Sequence, residues 1–221
     1  MNAIYIGIDP SINSTGLVIR AGNVAKFYIF KGNTHEILKN GEEKNPLTKA
    51  ERAAQDKGHV RYVLYDKYPV NKELSSEKNE YRKTVSFINL VSSISDVIHT
   101  EVSSYMLQVS SRPEITVAIE GISYGSASHT TAVFDLAGLN YMIRMVVFAT
   151  CPNASIKICT PAHLKKYTTG MGNANKDLMI NAFRTICPEI DVPKIDDIAD
   201  AYFLSCVYDQ NLNEALGTGL S

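Results

Sequence analysis

Two strongly apolar runs, far apart in the chain and each ending in a single carboxylate, most constrain the fold. Ala3–Asp9 begins with alternating apolar residues and ends with a continuous apolar stretch, and residues 115–120 are largely apolar up to their final glutamate. Runs of this kind are typical of strands buried inside a sheet. We therefore expect Asp9 and Glu120 to lie at the ends of buried strands.

The remaining elements follow from turn residues and from helical spacing. A turn at residues 10–16 separates the first strand from two more, at 17–20 and 26–30, and apolar residues at three- and four-residue spacing predict amphipathic helices. Thr160 and Pro161 begin a helix that Gly170 and Gly172 break. The other predicted elements are helices at 80–108, 128–149, 176–186 and 195–208, and a strand at 155–159. This order predicts an α/β fold, a mixed five-stranded sheet flanked by helices.

Charge is unevenly distributed along the chain. The 221 residues carry a formal net charge of -1, but residues 31–83 hold twelve basic and nine acidic residues. Only residues 59–68 look strand-like there, so we interpret about 33–79 as a charged insertion on a single domain spanning 1–221. A neutral total does not exclude nucleic acid, since it can hide a local basic patch.

Cysteine and histidine spacing exclude several classes of site. The four cysteines include no C-x-x-C pair and the histidines no H-x-x-x-H pair, which argues against zinc. No signal peptide is visible, and the longest apolar segment, near 145–149, is too short to span a bilayer. We expect a cytoplasmic protein with reduced thiols and no membrane association.

Acidic residues beside apolar runs point to metal chemistry. Asp9 and Glu120 end strands, while Asp197 and Asp200, three residues apart, share one helical face. Converging carboxylates suit Mg²⁺ and could hold two ions roughly 4 Å apart for phosphoryl chemistry. Each also has a plainer explanation: a turn cap for Asp9, a solvated strand end for Glu120, and a favourable helix-dipole position for Asp196 and Asp197.

Four segments in order resemble motifs of the RuvC-type Holliday junction resolvases. The first is IGIDPSINSTGL at 6–17, and the second is AIE at 118–120. LKKYTTGMGNANK at 164–176 resembles the family's lysine-bearing stretch, and DIADA at 197–201 matches its closing D-x-x-D-A. The resemblance covers nearly the whole chain apart from about residues 33–79.

The resemblance implies a ribonuclease-H-like fold and a homodimeric, Mg²⁺-dependent endonuclease that nicks four-way DNA junctions. Asp9, Glu120, Asp197 and Asp200 would be ligands of two Mg²⁺ ions, with Mn²⁺ an expected substitute, and Asp196 competes with Asp197 for its place. Cleavage would leave 5′-phosphate ends. The family dimerises largely through the helix that corresponds to 128–149.

Basic, glycine and aromatic residues complete the implied site. Lys165 and Lys176 match the family's catalytic lysines, with Lys166 as a register competitor for Lys165. Gly170 and Gly172 would let the backbone approach DNA. The family often has a base-stacking aromatic three residues after the strand glutamate; here that position is Ser123, and Tyr124 is the candidate.

Two alternatives remain open on the sequence. A ribonuclease H that cleaves RNA–DNA hybrids uses metal ions held by acidic residues in the same way, on the same fold. A branched-DNA-binding relative that does not cut is the second, although all four acidic positions are filled here.

Overall fold

The computed structural model describes residues 2–39, 41–122 and 131–215. These parts of the chain contain six strands and seven helices. The strands are β1 (Ala3–Asp9), β2 (Ser14–Ala21), β3 (Val24–Asn33), β4 (Arg61–Asp66), β5 (Glu114–Glu120) and β6 (Ser155–Cys159). The helices are α1 (Lys49–Asp56), α2 (Ser76–Met106), α3 (Thr131–Thr150), α4 (Pro161–Thr169), α5 (Lys176–Ile186), α6 (Ile195–Val207) and α7 (Gln210–Ala215).

The strands form one mixed sheet in the order β4-β3-β2-β1-β5-β6. Only β2 runs antiparallel to its neighbours, so the other five strands end at the same edge, which we call the carboxyl edge. The α/β class is confirmed, but the predicted count of five strands is wrong. Residues 61–66, which the sequence analysis assigned to the charged insertion, pair in parallel with β3 and bury Tyr62 and Tyr65.

Apolar side chains cover both faces of this sheet. Alternate residues of β1, such as Ile6 and Ile8, pack with α2 and α3 on one face, where Ile94 and Ile143 are fully buried. On the other face, Phe183 of α5 belongs to a second apolar cluster together with residues of α4 and α6. The sheet is therefore the middle layer of three.

Two glycines allow α6 to lie directly against the sheet. A Cβ at Gly7 of β1 would be 1.9 Å from the Ala201 carbonyl oxygen, and one at Gly16 of β2 would be 2.2 Å from the Asp197 carbonyl oxygen. Any side chain at either position would push the helix away. Glycine here sets the distance between the strand that carries Asp9 and the helix that carries Asp197.

Helix α1 was not predicted, because its apolar content is low. Thr48 and Glu51 form a capping box at its N-terminus, and Glu51 also accepts two hydrogen bonds from Lys31 Nζ on β3. The helix is therefore held by polar contacts that a hydrophobic pattern does not reveal.

Helix α3 is apolar over a longer stretch than the sequence analysis predicted. Residues 132–150 have a mean hydropathy of 1.5 and are long enough to cross a membrane by length and composition alone, with 22% of that stretch buried. The prediction that no segment is long enough was wrong, because Asp135, Asn140 and Arg144 interrupt the apolar run without ending the helix. Asp135 pairs with Lys83 of α2 at 3.0 Å.

Candidate active site

Strand register brings two of the predicted acidic residues together. Ile8 of β1 pairs with Ile119 of β5, so the residues that follow them, Asp9 and Glu120, stand side by side at the carboxyl edge. Neither position depends on a flexible loop, because both end a buried strand.

Asp9 and Glu120 are buried next to each other, and both pKa values are raised. Burial raises the pKa of Asp9 well above its ordinary value, and the charges of Glu120 and Asp200 raise it further. Burial also raises the pKa of Glu120, while a hydrogen bond from Asp9 and the charge of Lys165 oppose that rise. Two carboxyl groups this close in a buried place cannot both be charged without a large cost in free energy, because neither charge is solvated and the two repel each other.

Helix α6 brings the other two carboxylates to the same place. Burial raises the pKa of Asp200 to about 7, and the charges of Glu120, Asp196 and Asp197 add to the effect. Burial likewise raises the pKa of Asp197 to about 6. Four carboxyl groups from three elements therefore act on one another, and each resists ionisation at this site.

In the described part of the chain, one carboxylate oxygen of this cluster has no hydrogen-bond partner. Asp197 Oδ2 and Ser14 Oγ are both buried without a hydrogen bond among the described residues. The Ser14 hydroxyl still lowers the pKa of Asp197, so the two groups are near each other without meeting strict hydrogen-bond geometry. Leaving a buried polar atom unpaired costs about 1–3 kcal/mol. The fold holds Asp197 Oδ2 in place at that cost.

The carboxylate of neighbouring Asp196 is already paired with a lysine. Its Oδ2 forms an ion pair with Lys176 Nζ at the start of α5, and this pair raises the pKa of Lys176. Asp196 therefore places the Lys176 ammonium beside Asp197 and Asp200, whose pKa values that charge lowers. Of the two competing aspartates, Asp197 has the unengaged oxygen.

The lysine-bearing stretch forms α4 and its C-terminus. Lys165 is half-buried and its charge acts on Glu120, whereas Lys166 is exposed. Gly170 caps α4 in the left-handed conformation with φ 78°, which favours glycine, and the backbone of Ala162 lies 3.3 Å from where a Gly172 Cβ would be. Tyr124 lies outside the described residues.

Sequence reasoning missed Asn140 in the middle of α3. It is 1% exposed, its Nδ2 donates to the Glu120 carbonyl oxygen at 2.8 Å, and its Oδ1 is buried without a partner among the described residues. This hydrogen bond ties α3 to the end of β5. A lone amide inside an apolar helix matches no motif, so only its unusual position could have identified it.

The carboxyl groups do not form a finished metal site. Within residues 2–39, 41–122 and 131–215, no three His, Cys, Asp or Glu side chains converge closely enough to hold one ion as they stand. The hydrogen bond between Asp9 and Glu120 engages oxygens that an ion would use. Loss of that hydrogen bond would free both side chains to bind an ion.

One curated relative matches part of the chain in sequence. It is the crossover junction endodeoxyribonuclease RuvC of Caldanaerobacter subterraneus subsp. tengcongensis, which is 30% identical over 112 residues, 49% of this chain and 64% of the relative. The chain thus matches just under two thirds of that relative's length. No family model matches the chain.

Solved structures resemble the chain over nearly its whole length. The Thermus thermophilus RuvC structure has a TM-score of 0.50 at 16% identity and covers 97% of each chain. T. thermophilus RuvC in complex with a Holliday junction substrate has a TM-score of 0.46 at 17% identity, covering 98% of this chain and 97% of that one. The first of these shows that the fold is that of RuvC. The partial sequence match and this shared fold together confirm the predicted resemblance to the RuvC-type Holliday junction resolvases.

Proposed function

We propose that this protein is a divalent-metal-dependent endonuclease that resolves four-way DNA junctions by paired symmetric nicks. The observation that carries the proposal is the cluster of Asp9, Glu120, Asp197 and Asp200, in which each pKa is raised by burial. The name of the sequence relative, a crossover junction endodeoxyribonuclease, supports the same substrate.

The residues fit a hard divalent cation. All four donors are carboxylates, and Asp197 Oδ2 is buried without a hydrogen bond in the part of the chain that the structure describes. The mutual repulsion of the four falls when a cation lies among them. We propose two Mg²⁺ ions, replaceable by Mn²⁺, held by these four residues. When bound, such ions would activate a water for attack on a phosphodiester and stabilise the leaving 3′-oxygen, leaving 5′-phosphate ends.

The lysines supply the compensating positive charge. Lys165 acts on Glu120, and Lys176, held by Asp196, acts on Asp197 and Asp200. Negative charge grows on the phosphoryl oxygens in the transition state, and a fixed ammonium nearby stabilises it more than it stabilises the ground state. We assign this role to both lysines.

DNA would be bound chiefly through its phosphates and its branched shape. Lys166 is exposed beside Lys165, and the turn at Gly170 and Gly172 follows on the same connection between α4 and α5. We propose that this connection contacts the strand to be cut, and that Tyr124, after Glu120, stacks on a base.

Helix α3 is the proposed dimer interface. Phe134, Tyr141, Met145 and Phe148 lie at helical spacing and are each at least 62% exposed. A second copy covering this stripe would place two sites about a two-fold axis, matching the near two-fold symmetry of a four-way junction. Met145→Glu should give a monomer in analytical ultracentrifugation, whereas Ile186→Glu, at an exposed position of α5, should stay dimeric. A dimeric Met145→Glu protein would count against this interface.

A panel of labelled substrates tests the function. The protein is incubated with an immobile four-way DNA junction, a linear DNA duplex or an RNA–DNA hybrid, in Mg²⁺ and in EDTA. Paired symmetric nicks in the junction, dependent on Mg²⁺, are expected. Cleavage of the hybrid would instead indicate a ribonuclease H, and tight junction binding without any cleavage would indicate a binding protein.

A further inference from the structure

Lys67 lies at the carboxyl edge but comes from the charged segment at 33–79. It directly follows β4, which is parallel to β3 and hence to β1, so its backbone is at the edge where Asp9 and Glu120 end their strands. Its side chain runs back across β3, where a Cβ at Gly32 would be 2.4 Å from Lys67 Cδ. The segment thereby reaches the turn that follows Asp9.

Among the described residues, the partners of the Lys67 ammonium are neutral oxygens. Its Nζ donates to the carbonyl oxygen of Ile12 and to Oδ1 of Asn13, each at 3.0 Å. A lysine ammonium has three N–H groups, so one is left over. Burial lowers the pKa of Lys67.

Two lysines that flank this segment are each paired with a carboxylate. Lys31 binds Glu51 at 2.6 Å, and Lys83 binds Asp135 at 3.0 Å. The carboxylate next to Lys67 in sequence, that of Asp66, is instead bound by His35 Nε2 at 2.8 Å. Among the described residues, Lys67 therefore has no carboxylate partner, although it is fixed in place more firmly than an exposed lysine.

We propose that Lys67 binds a phosphate of the junction DNA beside the cleaved strand, using the N–H group that the turn leaves free. This proposal rests on the proposed function and names a DNA contact in the segment that has no counterpart in the resolvase motifs. Two N–H groups fix the ammonium, so little side-chain entropy is lost on binding, and a phosphate would supply the missing opposite charge.

The surface next to Lys67 also carries groups that suit DNA binding. Tyr68 is 39% exposed, and the Arg82 guanidinium carbon lies 5.5 Å from the centre of its ring. The Tyr68 backbone is fixed by its N–H, which donates to Ser86 Oγ at 2.8 Å. Next to Lys67 there is thus an aromatic ring with a second cation over it, a combination suited to binding a DNA strand.

The test compares two lysines of the same segment at opposite edges of the sheet. Lys67→Gln removes the charge while its amide can still donate two hydrogen bonds to the turn. Lys67→Arg keeps the charge. Lys57→Gln is the matched control, because Lys57 is exposed at the end of α1, before β4 begins. Junction affinity is measured in EDTA at several salt concentrations, and a melting curve confirms that each variant is folded.

For Lys67→Gln we expect weaker binding and a plot of log affinity against log salt that is shallower by roughly 0.7–0.9, the value of one phosphate contact. Lys67→Arg and Lys57→Gln should keep the wild-type slope. A wild-type slope in Lys67→Gln, or an equal reduction in Lys57→Gln, would overturn the proposal. Failure of the proposed function would be distinct, because it is shown by wild-type protein that does not cut the junction in Mg²⁺, whereas this test compares the affinity of each variant with that of wild type.

Discussion

Helix α6 carries a buried charge cluster near each end, and the two clusters differ in balance. Near its C-terminus, Arg20 of β2 binds Asp209 at 2.9 Å and also donates to the Ser205 carbonyl oxygen. Near its N-terminus, Asp197 and Asp200 join Asp9 and Glu120, and all four pKa values are raised. The first cluster satisfies its own charges and stabilises the fold. The second leaves negative charge to be compensated by something that binds.

The largest expected effect is on the unbalanced cluster. Asp9→Asn keeps the shape but removes a ligand charge, so cleavage of the junction in Mg²⁺ should fall by at least about 1,000-fold, comparable to the loss of a major electrostatic contribution to catalysis. Junction binding should stay near wild type, as measured by gel shift. Cleavage retained at several per cent of wild type would exclude Asp9 as an essential ligand.

The lysines beside this cluster should differ from each other. Lys165→Met should reduce the single-turnover cleavage rate by roughly 100-fold, because a fixed charge near Glu120 is lost. Lys166→Met should mainly weaken binding, since Lys166 is exposed. The two rates are compared at saturating protein. A larger loss of cleavage rate in Lys166→Met than in Lys165→Met would indicate that Lys166, and not Lys165, is the lysine that acts in cleavage.

Breaking the balanced cluster should affect stability instead. Arg20→Met leaves Asp209 buried without its partner, since their side chains are only 13% and 8% exposed. The free energy of unfolding should fall by about 3–5 kcal/mol, measured by urea denaturation. The double variant with Asp209→Asn should recover part of that loss. Cleavage per folded molecule should be unchanged, and a selective loss of cleavage would contradict the separation of the two clusters.

Without metal, the stability of the protein should also depend on pH. The pKa of Asp200 is about 7 and that of Asp197 about 6 in the folded protein, both above the ordinary value of 3.8. Between pH 4 and 7 the folded state therefore binds more protons than the unfolded state, and the free energy of unfolding should fall as pH rises.

Asp200→Asn provides the control for this pH dependence. It should flatten the fall in stability and make the metal-free protein more stable than wild type at pH 8. Urea titrations in EDTA at pH 5 and pH 8 measure both proteins. A wild-type free energy of unfolding that rises from pH 5 to pH 8 would contradict the inference that the negative charge of this cluster is uncompensated.

Much of the fold was predictable because its strands are apolar and its helices have regular spacing. The bounds of Ala3–Asp9, Ser155–Cys159 and Lys176–Ile186 agree with the structure. Strand β4 was not placed in the sheet, because its charged neighbours hide the burial of alternate residues such as Tyr62 and Tyr65. Local pattern shows where a strand begins, but not which edge it joins.

The site was predictable only as residue types at strand ends and on one helical face. The structure adds what depends on close approach: Gly7 and Gly16 set the position of α6, and Asn140 ties α3 to Glu120. The ion pair of Asp196 with Lys176 separates two adjacent aspartates that the sequence leaves equivalent. Contacts of this kind join residues far apart in the chain, so no local motif encodes them.

Anomalous diffraction from crystals grown in Mn²⁺ tests the central claim most directly. The account predicts anomalous density among Asp9, Glu120, Asp197 and Asp200, and its loss in crystals of Asp9→Asn. Manganese density elsewhere in a protein that cuts the junction, with none among these four carboxylates, would contradict it.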